Sequence, residues 1–582
     1  MAEAHTIESI LVADCGTAQT KLLLLEKVAD SYRFVAQAEA LTTSGPPWED
    51  ISLGVSRAIE ELETITGRRL FGNGRVIAPR QGLSGVDAFV VLLSASEPLH
   101  LVLAGLVKEM SLESASRAAN GTYTDVQAVL SREGSLRSPQ ETWSRTIRDL
   151  APDGVVLVGG VDGGAKRPVL ELAEAVALAS SMLEEDERPT VIFAGNRDLR
   201  PYVTKLMGDI TEVRVVDNVH PVADQEYLGP LQEALEALYR EMRISHTPGI
   251  ETLSTWSRMP FVPAASAFSQ VVDFLWHREG HTDRGVLGAD IGAGTVTIAA
   301  EFDEWPYLSI TNHGVADGLH AWLDSHDIED VRRWIPEEMD ADTVRAHLHA
   351  KEQHPGTVPQ TTEEVWIEMA VVREMLRSAL RNARPAWDVK DAHMADGVMP
   401  RLDPILVSGG SVVHAPRPGQ ALLAVLDGLQ PVGISTVLLD VNRAAPALGA
   451  VAGIKPLAAA SALESGTLVS MGTIISPVGR AGSGDTVLQM RITYDEGGEL
   501  DVEAHYGEIE IWPLLPDQRA TIEIRPTRRF DVGMGNGRSV KVEVRGGRLG
   551  IVVDARGRPL RLPEDPDARR RAVNGWIWDV GG

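Results

Sequence analysis

One cysteine, Cys15, stands in a chain of 582 residues. Without a second thiol there is no intrachain disulfide and no thiolate zinc cluster, so a reducing compartment is expected. Positive charge is also short: 55 lysines and arginines face 82 aspartates and glutamates, a formal net charge of −27. Phosphate polyanions repel such a chain, which argues against a nucleic-acid partner and against an anionic membrane surface. Long apolar runs are missing as well. The most apolar stretch, 89–107, is broken by Glu97, Pro98 and His100, so no transmembrane helix is expected. The N-terminal MAEAHTIESI lacks the basic-then-apolar form of a signal peptide. Neither a nucleophile elbow nor an H-E-x-x-H occurs. These absences predict a soluble, cytoplasmic protein, and the length and 44% hydrophobic content predict three or four domains with sizeable cores.

What is present centres on residues 285–301, GVLGADIGAGTVTIAAE. An apolar run ends in Asp290, turns through Gly292 and Gly294 with hydroxyls at Thr295 and Thr297, and continues as a second apolar run. This reads as two antiparallel strands joined by a tight glycine turn whose backbone N–H groups suit a phosphate. A partner lies at 10–26, ILVADCGTAQTKLLLLE, with Asp14, Gly16, Thr17 and Thr20 in the same order. Later segments match too. GVVLVGGVDGG (154–164) resembles PILVSGGSVV (404–413), and TVIFAGNR (190–197) resembles TVLLDVNR (436–443). From Asp14 to Gly159 is 145 residues and from Asp290 to Gly409 is 119, which assigns the surplus to an insertion in the first half. Such duplication implies two similarly folded lobes around a cleft.

In chain order, a strand is expected at 34–41, an amphipathic helix at 48–64, a strand at 89–93 and helical segments with Ser111 and Ser114 as caps. Further helices are expected at 169–183, 228–242 and 363–382. From residue 461 onward, short β-type runs alternate with turn signals such as Glu496-Gly497-Gly498 and Asn536-Gly537, predicting a small all-β domain. The expected divisions are 1–250 for a first lobe with an insertion at about 87–130, 251–456 for a second lobe whose last helix returns toward the first, and 457–582 for the β-rich domain.

The turns DCGTAQTK and DIGAGTVT, with VSGGSVV after the second, resemble the phosphate loops and adenosine loop of the actin, heat-shock chaperone and sugar-kinase ATPase superfamily. More narrowly, residues 8–455 resemble the MutL or GlmL family, accessory proteins of adenosylcobalamin-dependent glutamate mutase. SASEPLHLVLAGLVKEMSLESASRAANG, DGVVLVGGVDGGAKRPVLELAE and DNVHPVADQEYLGPLQEAL also carry that resemblance. It implies an α/β fold of duplicated actin-like (ribonuclease H-like) lobes around a nucleotide cleft, with the C-terminal β domain added. It implies ATP and Mg²⁺ as ligands, weak ATP hydrolysis, and a B12-dependent mutase as protein partner that the chain reactivates in the manner of a chaperone.

In that cleft, Gly16, Thr17, Thr20, Gly292, Gly294 and Thr295 would cradle phosphates, each charge-assisted bond contributing about 1.5–3 kcal/mol. Asp14 and Asp290 would hold Mg²⁺ through its waters. Lys21 would neutralise phosphate charge, Gln19 would orient the attacking water, and Ser408, Gly409 and Gly410 would let adenosine approach the backbone. Two other functions fit the same fold. A small-molecule kinase would need a base, for which Asp162, Asp217 and Glu226 are candidates; a nucleotide-binding scaffold would need none. Residues 159–166, GGVDGGAK, nearly match a P-loop, but Ala165 displaces the lysine and Arg167 replaces the metal-binding hydroxyl. They leave an anion site at a helix N-terminus as an alternative to a plain helix entry. The segments 391–393 and 324–326 have the D-x-H of a cobalamin motif without its glycine, and His277 and His281 have helical spacing without an evident third ligand.

Overall fold

The computed structural model describes residues 7–132, 139–279, 283–302, 306–387 and 398–581. The chain forms two compact units. Unit 1 joins Met1–Pro47, Ile51–Ala95 and Leu253–Gly582; unit 2 joins Trp48–Asp50 and Ser96–Thr252. His281 and the segment 391–393 lie outside the described residues.

Unit 1 begins with an antiparallel meander of β1 (Ser9–Cys15), β2 (Gln19–Val28) and β3 (Ser31–Leu41). The apolar residues of β1 and β2 are almost all buried, which marks a strand pair covered on both faces. The helix Ile51–Thr66 follows, burying Ile51, Val55, Ala58, Ile59 and Leu62 at helical spacing. After a two-residue ribbon, β4 (Phe71–Gly72) and β5 (Arg75–Val76), the chain enters β6 (Ala88–Leu93), which lies parallel to β1. Unit 2 then intervenes with β7 (Leu99–Gly105), β8 (Thr124–Ser131), β9 (Gly154–Leu157), β10 (Thr190–Phe193) and β11 (Val213–Val215). Back in unit 1, β12 (Val262–Pro263) completes the order β12-β6-β1-β2-β3.

The second half repeats this order. The meander β13 (Gly285–Ile291), β14 (Val296–Glu301) and β15 (Pro306–Thr311) is joined by β16 (Leu402–Ser408), parallel to β13, and by β17 (Gly433–Asp440). The order β17-β16-β13-β14-β15 therefore matches β12-β6-β1-β2-β3, strand for strand. Registers match as well: Asp14 opposes Lys21 as Asp290 opposes Thr297, and Cys15 opposes Thr20 as Ile291 opposes Val296. This is the duplicated actin-like architecture.

The topology corrects one pairing read from the sequence. The counterpart of β16 and its Gly409 is β6 and Leu93, not β9 and Gly159, because Asp14 registers with Leu92 as Asp290 does with Ser408. The first-half strand AFVVLL ends without a glycine pair, so the eye passes to the glycines of unit 2. What separates β6 from β12 is thus all of 96–252, rather than a short insertion within 87–130.

One hydrophobic core ties the two sheets together. Ile10, Val12, Leu23 and Val90 of the first sheet and Val286, Ala299 and Leu406 of the second cluster with Phe268, Val272, Leu448 and Val451. The last four belong to the helices Ala264–Glu279 and Ala445–Ala452. These helices touch backbone to backbone at Gly449, where a Cβ would stand 1.7 Å from the Ala267 carbonyl oxygen. Only glycine permits that approach.

The C-terminal strands do not stand apart from this frame. β18 (Leu468–Ser476) pairs antiparallel with β17, and the second sheet continues from it. Of β19 (Thr486–Tyr494), β20 (Glu499–His505), β21 (Ile509–Trp512), β22 (Arg519–Pro526), β23 (Val540–Arg545) and β24 (Ile551–Asp554), two more join that sheet in the order β18-β24-β21. The other four form the separate sheet β20-β19-β22-β23. The expected boundary at 456 therefore falls inside a continuous compact unit. Among the described residues, no helix is long and apolar enough to cross a membrane.

A buried ion network fastens the join. Arg556 contacts Asp554 and Asp427 at 2.8 Å, Arg558 contacts Asp554 at 2.6 Å, and Arg373 contacts Asp427 at 2.7 Å, all nearly devoid of exposure. Burial alone would raise the Asp554 carboxyl, but the Arg556 and Arg558 guanidiniums hold it well below the usual carboxylate range. Its stabilisation is thus present above the ordinary carboxylate pKa and is lost as the pH falls through the depressed value. Asp554→Asn leaves buried guanidinium charge uncompensated and should cost about 3–5 kcal/mol at pH 7. Denaturant unfolding at pH 7 checks this; an unchanged midpoint would mean that the network does not hold the C-terminal strands.

Candidate functional site

The two Asp-Gly hairpins come together inside unit 1. Each turn is closed by the same backbone bond, Gly16 N–H to Gln19 O at 3.0 Å and Gly292 N–H to Thr295 O at 2.9 Å. The turns also meet: a Cβ on Gly294 would stand 2.7 Å from the Thr17 hydroxyl oxygen and 3.3 Å from Asp317 Oδ2. The first turn thus presents a hydroxyl directly to the glycine of the second.

Charge gathers behind the turns. Lys21 Nζ lies 3.1 Å from Asp14 Oδ2, with both side chains largely buried. Burial pushes the Asp290 carboxyl up to about 6; Asp14 and Asp440 add to the rise, and Lys21 and the Ser408 hydroxyl oppose it. Asp440 ends β17 and is fully buried. Its carboxylate accepts from the Ala444 amide at 2.9 Å, the Ala445 amide at 2.7 Å and the Ser408 hydroxyl at 3.1 Å, capping the helix Ala445–Ala452. Burial nevertheless raises its carboxyl. Three carboxylates therefore influence one lysine. Such an oxygen-rich, anionic set suits a hard divalent cation that keeps its waters.

The loop after β16 is shaped by Gly409. Its φ is +124°, and a Cβ there would lie 2.3 Å from the Ile291 carbonyl oxygen, so the loop runs flush against the strand carrying Asp290. Gly410 starts the short helix Gly410–Val413 and approaches Arg443. Arg443, with φ +50°, donates to Gln19 Oε1 at 3.3 Å and pairs with Glu39. Burial lowers its guanidinium pKa, while Asp14 favours its charge.

Most of the expected residues meet here: Asp14, Gly16, Thr17, Gln19 and Lys21 from the first hairpin, Asp290, Gly292, Gly294 and Thr295 from the second, and Ser408, Gly409 and Gly410 beside them. Thr20 is different. It is fully buried, and its hydroxyl lies 3.0 Å from that of Thr42, which in turn donates to Gly16 O at 2.7 Å. Thr20 braces the turn from behind. Gln19 is held by Arg443 and occupies the place that Thr295 has in the second hairpin.

Sequence reasoning missed Asp440, Arg443 and Asp317. The first two lie in TVLLDVNR, which served only as a mark of repetition. Its Asp440 followed by Ala444-Ala445-Pro446 is a helix-start signal that points to the same residue. Asp317 follows β15, and its amide donates to Ala293 O at 2.8 Å. The candidate kinase bases belong to unit 2 and are engaged there. Asp162 accepts from the Arg197 amide and Asn218, Asp217 pairs with Arg200 at 2.7 Å, and Glu226 pairs with Arg117. His277 pairs with Asp273 at 3.2 Å.

Duplicated sheets with facing Asp-Gly hairpins define an actin-like fold. The family model described as MutL protein matches residues 10–466, and the chain belongs to that family. A curated relative, Protein MutL of Clostridium tetanomorphum, is 22% identical over 449 residues, covering 72% of this chain and 89% of its own. Among solved structures, nucleotide-free acetone carboxylase is 12% identical with a TM-score of 0.33, covering 86% of this chain and 81% of its own. The nucleotide-free diol dehydratase-reactivating factor is 11% identical with a TM-score of 0.28, covering 79% and 100%.

The raised Asp290 carboxyl yields a stability signature. The folded chain holds this proton more tightly than the unfolded chain, so the group stabilises fully below the ordinary carboxylate range and loses that stabilisation as pH rises through about 6. Asp290→Asn should therefore be more stable than wild type at pH 8, by about 1–3 kcal/mol, with the gap closing toward pH 4. Thermal unfolding across that range checks this. A variant less stable at pH 8 would contradict the burial of an uncompensated charge.

Proposed function

We propose that this chain binds ATP with Mg²⁺ between the two hairpins of unit 1 and hydrolyses it slowly. The cycle acts on a partner protein, an adenosylcobalamin-dependent mutase of the glutamate mutase type. The observation that carries the nucleotide reading is the contact of Thr17 with Gly294 in front of Asp14, Lys21, Asp290 and Asp440. Two glycine turns from matching hairpins offer amides and hydroxyls to a phosphate chain, and the carboxylates behind them repel a bare anion. A cation has to accompany the phosphates.

Asp14 and Asp290 would hold Mg²⁺ through its waters, and the ion would neutralise phosphate charge there. Lys21 is poised beside Asp14 as a counter-charge, and Gln19, fixed by Arg443, can order a water at the turn. Thr17 and Thr295 supply the hydroxyls. Membership of the MutL family supports the partner, since that family's resemblance implies service to a B12-dependent mutase. Opening and closing of paired lobes on nucleotide is a two-state motion able to do mechanical work on a bound enzyme.

Phosphate release from ATP by the purified chain, with and without a cobalamin-dependent mutase, tests the proposal. Slow release without any added metabolite is expected, faster with the mutase, and reduced about a hundredfold in Asp14→Asn. Strict dependence on a small acceptor would point to a kinase instead, and no release at all to a nucleotide-holding scaffold.

A further inference from the structure

The helix Thr362–Ala383 and the turn Arg384–Ala386 that ends it place arginines at 373, 377, 381 and 384. Steps of four, four and three keep them on one face, one above another. A chain of net charge −27 has acids to spare, and the first of these arginines finds one: Arg373 pairs with Asp427 in the buried network. The next three are not matched in that way.

The acid within ion-pair distance of Arg377 is Glu374, and Glu374 is already engaged. Its Oε1 accepts from Arg333 at 2.6 Å and from Trp334 Nε1 at 2.7 Å, while Arg377 Nε stands 3.6 Å off, beyond hydrogen-bond range. That Nε is buried with no hydrogen-bond partner. Arg381 donates to His326 Nε2 at 3.2 Å, and His326 Nδ1 lies 3.0 Å from the Trp322 carbonyl oxygen. The ring proton therefore sits on Nδ1, and Nε2 offers Arg381 a lone pair but no negative charge. Arg384 donates to the Val398 carbonyl at 2.9 Å, again an uncharged acceptor. Burial lowers the guanidinium pKa of both Arg377 and Arg384; at Arg377, Glu374 opposes the fall and Arg333 and Arg381 add to it.

Arg377, Arg381 and Arg384 line one cavity of about 210 Å³. Its other wall includes Gln430 and Arg558, the latter already paired with Asp554. Among the described residues, no aspartate or glutamate lines it. Cations gathered around a hollow without an acid are unfavourable until an anion enters. At about 30 Å³ for each water, the space takes a small ion with a few waters, and it falls short of the roughly 300 Å³ at which pockets begin to enclose larger organic ligands.

The cavity lies far from the Asp-Gly turns. Val398 and Met399 of its lining precede β16 and Gln430 precedes β17, so it opens at the amino ends of the strands whose carboxyl ends carry Ser408 and Asp440. β16 is 7 residues long, which at about 3.3 Å per residue puts roughly 20 Å of strand between the two places. Nothing about it depends on the nucleotide reading.

We infer that this cavity binds a small oxyanion of the phosphate class, held by Arg377, Arg381 and Arg384. Planar guanidiniums match phosphate oxygens two at a time, a geometry that lysine cannot supply. Free inorganic phosphate and the phosphoryl group of a small ester share that chemistry.

Calorimetric titration of the full-length chain with sodium phosphate and with glycerol 3-phosphate, each with and without saturating Mg-ADP, tests the inference. At least one of the two should bind, and Mg-ADP should leave that binding unchanged. Arg381→Gln, a change at an exposed position that spares the buried ion network, should weaken it about tenfold or more, and Arg377→Gln likewise. Tighter binding of phosphate would identify the free ion as the ligand, and tighter binding of glycerol 3-phosphate the ester. Failure of both to bind, equal binding by wild type and Arg381→Gln, or displacement by Mg-ADP would overturn the site. Mg-ADP titrated alone reports on the hairpins, so its failure to bind with phosphate binding retained would sink only the ATPase reading.

Discussion

The contact between Gly449 and the Ala267 carbonyl leaves no room for a methyl group, and the geometry of the proposed nucleotide site depends on it. Through it, the helices Ala264–Glu279 and Ala445–Ala452 sit at backbone distance and share one core with both sheets of unit 1. The two hairpins grow from the central strands of those sheets. Their turns meet because the helices between them cannot drift. The same helix Ala445–Ala452 is capped by Asp440, so the element that fixes the distance also carries a carboxylate of the site.

Electrostatics runs against stability at that point. Asp440 is fully buried and Asp290 half-buried, with too little positive charge to compensate them, and both carboxyls are raised in consequence. Elsewhere in unit 1 the chain handles buried charge differently. Around Asp427 and Asp554, three arginines neutralise two acids, and Asp554 is held far below its ordinary range. The contrast separates a structural network, which is balanced, from a site that lacks counter-charge. Strain of this sort marks positions kept for a ligand.

Much of unit 1 was legible because the strand–turn–strand pattern is local. Apolar runs flanking Asp14-Cys15-Gly16 and Asp290-Ile291-Gly292 fix hairpins, and a hairpin fixes where its turn residues go. Thr20 shows what a finer reading would have caught. Side chains alternate along a strand, so Thr20 and Lys21 cannot face the same side, and Lys21 is the one beside Asp14. Asp440 and Arg443 escaped because they reach the hairpins only through the parallel pairing of β13, β16 and β17, which is a long-range event. The repeat itself was misaligned for a related reason. Glycine pairs end parallel strands in both units, and the chain's return from β6 to β12 across 96–252 is invisible to spacing. The role of the C-terminal strands was hidden likewise, since β18 and β24 read as short alternating runs and reveal their sheet only by pairing.

The central claim is that both hairpins close on one Mg-nucleotide. Amide hydrogen exchange of the full chain with and without Mg-ATP addresses it most directly. The account predicts simultaneous slowing of exchange in 14–21 and 290–297. Slowing in one hairpin alone, or in neither while nucleotide is bound, would contradict it.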